Sequence, residues 1–243
     1  MGAAFGWGIL AGSSLVIGAL VALRFSIGLR PIGLIMAFGS GVLISAVSFD
    51  LIEEASDMSS GNGAVAVGLF AGCFVFFGGD WRIGRMGGAG RKRAAGTDGG
   101  GSALAIVLGT VLDGIPESAV IGLTVYQGGA VGAAYLTAVF MSNLPESISA
   151  TTGLVKGGWR RSQVLWMWVA IVAVSGIASL GGYVLFQESS PDTVAVVMAF
   201  AAGAILTMLA NTMMPEAFEH SGKLVGVVTT LGFAAAFALH SIT

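Results

Sequence analysis

The chain has 243 residues, is 55% hydrophobic and only 10% charged, and carries a formal net charge of −2. A soluble domain carries roughly 25% charged residues. A chain this poor in charge, with a mean hydropathy of +0.89, cannot cover a water-facing surface. The lipid bilayer is its expected surrounding, and nothing in it points to a nucleic-acid partner.

A membrane-spanning helix needs about 20 mostly apolar residues, and eight stretches qualify. The expected fold is thus an all-α integral membrane protein with eight transmembrane helices, forming a single domain over 1–243. The first stretch, 5–25, has no Lys or Arg before it. It reads as a retained span, not a cleaved secretory signal, with its N-terminus outside the cytoplasm. The second, 32–54, starts just after Pro31, where proline is tolerated, and carries Asp50, Glu53 and Glu54 at its outer end. The third, 63–82, contains Gly68-xxx-Gly72, a spacing that lets membrane helices pack closely. Cys73, the single cysteine, excludes an internal disulfide and reads as a small buried side chain.

The one long connection, 83–101, is rich in Gly and basic residues and has no apolar period. It is expected to be a flexible cytoplasmic loop. The fourth span, 103–125, carries Thr110, Asp113 and Glu117. The fifth, 129–154, carries Ser142, Asn143, Glu146 and Ser149, and Gly128-xxx-Gly132 at its start repeats the close-packing spacing. The sixth, 164–187, has no acid in its apolar centre. The seventh, 192–216, follows Pro191 and ends in Glu216, with Glu219 and His220 just beyond. The eighth, 222–241, ends near His240, which as a terminal residue is expected to be idle.

Charge in the loops tests this count. With the N-terminus outside, Arg24 and Arg30 fall at the first cytoplasmic connection, and Arg82, Arg85, Arg91, Lys92 and Arg93 at the second. Lys156, Arg160 and Arg161 fall at the third, and Lys223 at the fourth. All 11 basic residues thus face the cytoplasm, as the positive-inside rule requires. The outer loops carry Asp57, Glu188 and Asp192 instead. The expected location is the plasma membrane, multi-pass, with both termini extracytoplasmic.

Ionisable groups at bilayer depth are rare, costly and usually functional. Asp113 and Glu117 are four apart and share a helix face, as do Ser142 and Glu146. The short connection near 126–128 makes the two helices antiparallel neighbours. Three of the five prolines stand directly before a glutamate: Pro116-Glu117, Pro145-Glu146 and Pro215-Glu216. Proline inside a helix removes a backbone hydrogen bond and kinks the axis, leaving a carbonyl oxygen beside each carboxylate. No Lys or Arg lies at the depth of Asp113, Glu117 and Glu146, so three readings are open. The acids hold a cation, or they stay protonated in a proton relay, or they are structural polar packing. Clustered with Asn and Ser oxygens, they would suit a hard divalent cation. Asp50, Glu53 and Glu54 on the outside, and Glu216, Glu219 and His220 on the inside, sketch an entrance and an exit.

These residues resemble the ZIP (Zrt/Irt-like) metal-ion transporter family. The family's hallmark is a His-Asn-x-Pro-Glu-Gly-like segment in spans four and five. Here the segments read Asp113-Gly114-Ile115-Pro116-Glu117-Ser118 and Ser142-Asn143-Leu144-Pro145-Glu146-Ser147, and span seven ends in Met214-Pro215-Glu216-Ala217. The resemblance covers nearly the whole chain. Both motif histidines are replaced, by Asp113 and Ser142, and the first motif's Asn by Gly114. The implied metal ligands are Asp113, Glu117, Ser142, Asn143 and Glu146, one oxygen-dominated site. Loss of imidazole weakens discrimination for zinc relative to manganese or ferrous iron.

The resemblance implies import of a divalent metal cation of the zinc, manganese or iron class, by alternating access. The metal is cargo, and no prosthetic cofactor is expected. No P-loop is present, so ATP is not the direct energy source. A metal-binding sensor or scaffold that does not transport is the alternative. An intramembrane metal-dependent hydrolase is a further one, disfavoured because there is no His-Glu-x-x-His and both histidines are peripheral. The expectation is therefore not an enzyme. A homodimer is an open possibility.

Overall fold

A computed structural model describes residues 1–85, 101–126 and 133–241. All described elements are helical, and no strand occurs among them. Eight helices follow in order: α1 (Gly2–Arg24), α2 (Leu29–Met58), α3 (Asn62–Ile83), α4 (Gly101–Tyr126), α5 (Ala133–Lys156), α6 (Arg161–Leu185), α7 (Pro191–Ser221) and α8 (Leu224–His240). Each matches one expected apolar stretch. Gly128-xxx-Gly132, the turn near 126–128 beyond Tyr126, and most of the 83–101 connection lie outside the described residues.

Six of these helices contain a stretch long and apolar enough to cross a membrane: Gly2–Arg24, Leu29–Met58, Gly63–Ile83, Val107–Tyr126, Arg161–Leu185 and Pro191–Ser221. The expected count of eight is met by helices but not by spans of that standard. The helix α8 has 17 residues, about 26 Å at 1.5 Å per residue, against a hydrocarbon core of about 30 Å. The helix α5 is long enough at 24 residues. Its stretch 142–152, however, holds Ser142, Asn143, Glu146, Ser147, Ser149, Thr151 and Thr152.

Two helices run further than their apolar stretches. The outer end of α2 passes through a π-helical segment, Val47–Glu53, before closing as Glu54–Met58. The inner half of α7 passes through a second, Leu209–Met213, immediately before Met214-Pro215. Pro215 cannot supply the N–H of a regular ladder, so irregular pairing there has a cause in the sequence. No proline accompanies the π segment of α2. Pro191 opens α7 at its first position, with Ser190 accepting a hydrogen bond from the Thr193 N–H. Pro116 and Pro145 lie inside α4 and α5, which stay continuous through them.

Glycine sets which helices touch. Gly68 and Gly72 face the Val196 and Phe200 carbonyls, and Gly203 faces the Leu69 carbonyl, so α3 and α7 lie backbone to backbone. Gly41 and Gly232 do the same for α2 and α8, and Gly122 and Gly182 for α4 and α6. A β-carbon at any of these positions would overlap the opposite chain. Gly18 of α1 sits against the Leu144 carbonyl and Ser147 hydroxyl of α5. The helix α5 thus packs on α1 and α2, while α4 packs chiefly on α6 and touches α5 only sparsely. Cys73 is half-buried rather than buried. It lines a groove of about 410 Å³ between α3 and α7 with Phe70, Phe77, Thr207 and Asn211.

Candidate metal-ion pathway

All five expected ligand positions point into the bundle. Relative exposures are 4% for Asp113, 1% for Glu117, 1% for Ser142, 7% for Asn143 and 2% for Glu146. The polar faces read from spacing extend as expected, since Thr110, Ser118, Ser147, Ser149 and Thr151 are buried as well. By contrast, Arg24, Arg30, Arg82, Arg85, Lys156, Arg160, Arg161 and Lys223 are all exposed. These are all the Lys and Arg residues among those described. Asp113, Glu117, Glu146 and Glu216 are thus buried, whereas every described Lys and Arg is exposed.

The acids do not gather tightly. Among the described residues, no three His, Cys, Asp or Glu side chains come close enough to hold a metal ion together. The expected cluster of three acids is not formed, because α4 and α5 are held mainly by other helices and meet each other little. Ser142 donates its hydroxyl to the Val139 carbonyl at 2.9 Å within its own helix, which leaves the Ser142 oxygen able to accept or to ligate. One side chain crosses from α5 to α4. The phenol of Tyr135, 2% exposed, donates to the Glu117 backbone carbonyl at 3.4 Å.

Asp50 and Glu54, read as outer acids, are both part-buried. Glu53 points outward and is exposed. Asp50 sits in the π segment of α2 and has a further partner, His240, whose Nδ1 lies 2.9 Å from Asp50 Oδ1. The His240 ring stacks on Phe49 with centroids 5.5 Å apart. His240 is therefore not idle; it ties the end of α8 to the outer half of α2.

The inner acids divide. Glu216 is buried and accepts a hydrogen bond from Ser149 Oγ at 2.6 Å, which joins α7 to the polar face of α5. His220, one turn on, places Nε2 3.8 Å from Glu216 Oε1 with its side chain only 5% exposed. That nitrogen is buried and has no hydrogen-bond partner among the described residues. Glu219 is exposed.

Two side-chain contacts escaped the sequence reading, those of Tyr135 and His240. Tyr135 carried a signal: 135, 139, 142, 146 and 149 follow the alternating four and three spacing of one helical face. His240 carried none, since its partner is 190 residues away. Oxygen donors thus occur at three places: Asp50 and Glu54 near the C-terminal end of α2, the α4 and α5 set, and Ser149 with Glu216 near the C-terminal end of α7. No protein-family model matches the chain, and no curated protein sequence does.

Proposed function

We propose that the chain is a divergent ZIP-like transporter that carries a divalent metal cation into the cytoplasm. In this reading all eight helices cross the plasma membrane and both termini are extracytoplasmic. The helix α5 crosses despite its polar half because that half is buried against α1 and α2, where backbone and polar side chains escape lipid. The short α8 crosses by relying on local thinning of the bilayer or on flanking residues.

One observation carries the reading. Asp113, Glu117 and Glu146 are buried within apolar helices, while every described Lys and Arg is exposed. Buried carboxylates are costly unless a cation or a proton offsets their charge. A mobile divalent cation does so with hard oxygen ligands. Asp113, Glu117 and Glu146 supply charge, and Asn143 and Ser142 supply neutral oxygens. With no imidazole in the set, manganese or ferrous iron is served as well as zinc. The separation of α4 from α5 suits a site that tightens in one state and loosens in another, as alternating access demands.

Manganese flux into proteoliposomes tests the proposal. Uptake should saturate with concentration, compete with zinc, iron, cobalt and cadmium, and vanish in the double variant Glu117→Ala with Glu146→Ala. Saturable binding without flux would make the chain a sensor or scaffold instead. Flux that survives the double variant would remove these residues from the path.

A further inference from the structure

The groove between α3 and α7 changes character along its length. Phe70, Cys73 and Phe77 of α3 form an apolar wall, and Asn211 of α7 also lines it. Phe70, Phe77 and Asn211 are exposed, so the groove opens on a face that two apolar helices turn outward. The helices run parallel, because Gly68 and Gly72 meet Val196 and Phe200 in the same order. Continuing that register by about two and a half turns sets Asn211 near the level of Trp81. Two exposed cations follow on α3, Arg82 and Arg85. The Arg85 guanidinium lies over the Trp81 ring, with Cζ 3.7 Å from its centroid. A guanidinium stacked by its face keeps the N–H groups round its rim for other acceptors. Asp80 is half-buried and, five residues before Arg85, lies on another side of the helix. Along the pair of helices the order is therefore apolar wall, amide, guanidinium. A glycerophospholipid has the matching order of acyl chain, ester and phosphate.

We propose that this groove is a binding site for an anionic glycerophospholipid. One acyl chain lies against Phe70, Cys73 and Phe77. The Asn211 amide donates to the ester carbonyl, and Arg82 with Arg85 holds the phosphate. An amide exposed at hydrocarbon depth is costly unless it finds an acceptor, and the ester at the head of the chain supplies one. The volume of about 410 Å³ falls in the range of small-ligand sites. Charge decides the class of headgroup. Each arginine near a membrane surface favours a net negative lipid by roughly fivefold, whereas a zwitterionic headgroup brings its own ammonium against them. The site needs a bilayer but no transported ion, so it stands apart from the pathway through α4 and α5.

Cys73 reports occupancy, since it is the single cysteine and lies half-buried in the groove wall. The full chain is purified in an uncharged maltoside detergent, and the rate of Cys73 alkylation by N-ethylmaleimide is followed. Dioleoyl phosphatidylglycerol and dioleoyl phosphatidylcholine are titrated in separately; their chains are the same and only the headgroup differs. Phosphatidylglycerol should slow alkylation severalfold and saturably. Phosphatidylcholine should need about tenfold more lipid for equal protection. In Arg82→Gln with Arg85→Gln the two lipids should protect equally weakly. Asn211→Leu should weaken both alike, because both carry the ester, and keep the preference between them. Where the double variant does not fold, Arg85→Gln alone should narrow the preference by about fivefold.

Absence of protection by either lipid, or equal protection by both in the wild type, overturns the site. So does a preference for phosphatidylglycerol that survives the arginine substitutions, which would put the headgroup elsewhere. Protection that follows protein concentration and not lipid means that a second copy of the chain covers the groove, and it overturns the lipid as occupant.

Discussion

The molecule holds two carboxylate–histidine pairs, one near each end of the bundle, and they are built differently. At the end of the bundle expected to face outward, Asp50 and His240 meet at 2.9 Å across 190 residues of sequence, with His240 37% exposed. At the inner end Glu216 and His220 are one helical turn apart, 3.8 Å between polar atoms, with both side chains under 10% exposed. The outer pair fastens one helix end to another and is partly exposed. The inner pair shares its carboxylate with Ser149 of α5, so it is coupled to the helix that carries Asn143 and Glu146. The same two residue types therefore serve as a surface clasp in one place and as part of a buried polar network in the other.

The largest expected effect separating them comes from removing the carboxylates. Glu216→Ala leaves the Ser149 hydroxyl buried without this acceptor, a loss of about 1–3 kcal/mol, and removes the carboxylate beside the His220 ring. Its melting temperature in detergent should fall by several degrees, and more than that of Asp50→Ala. Equal losses at both sites would erase the distinction.

Next come the histidines. His240→Ala removes a partly exposed pair, for which about 0–1 kcal/mol is expected. It also loses a ring stack on Phe49 of about 0.5–1.5 kcal/mol. His240→Phe should restore most of the second part and none of the first, and thermal melts of the three proteins measure both.

The smallest effect is that of salt. Raising sodium chloride from about 0.05 to 0.5 M shortens the screening length severalfold. The difference between wild type and His240→Phe should shrink with salt, whereas that between wild type and Glu216→Ala should not move. Salt sensitivity at the inner pair would show that it is open to water.

Much of this fold was legible because helical membrane proteins write their spans into composition. The apolar stretches located every described helix, and Gly68 and Gly72 marked a contact face that the structure places against Val196 and Phe200. A Gly72→Ala variant should accordingly weaken the α3–α7 packing, while Gly78→Ala, with nothing within 4 Å, should be stabilising by about 0.5–1 kcal/mol. Burial of the motif residues was equally readable, from four- and three-residue spacing on α4 and α5.

What could not be read depends on contacts between distant segments. The π segment at Val47–Glu53 has no proline or glycine to announce it, and the pairing of Asp50 with His240 needs α8 folded against α2. The sparse contact between α4 and α5 was invisible too. Adjacency along the chain implied that they would pack, but glycine pairs Gly122–Ser179 and Gly182–Ala119 commit α4 to α6 instead. The half-burial of Cys73 follows similarly from the groove between α3 and α7, not from its apolar neighbours.

Equilibrium binding of manganese to the purified protein, followed by the loss of its free electron-paramagnetic signal, tests the central claim most directly. Wild type should take up the ion saturably, and Glu117→Gln with Glu146→Gln, which keeps size and hydrogen bonding but removes the charge, should lower the affinity by at least about tenfold, or 1.4 kcal/mol. Identical binding curves for the two proteins would contradict it, because the buried acids would then be holding nothing.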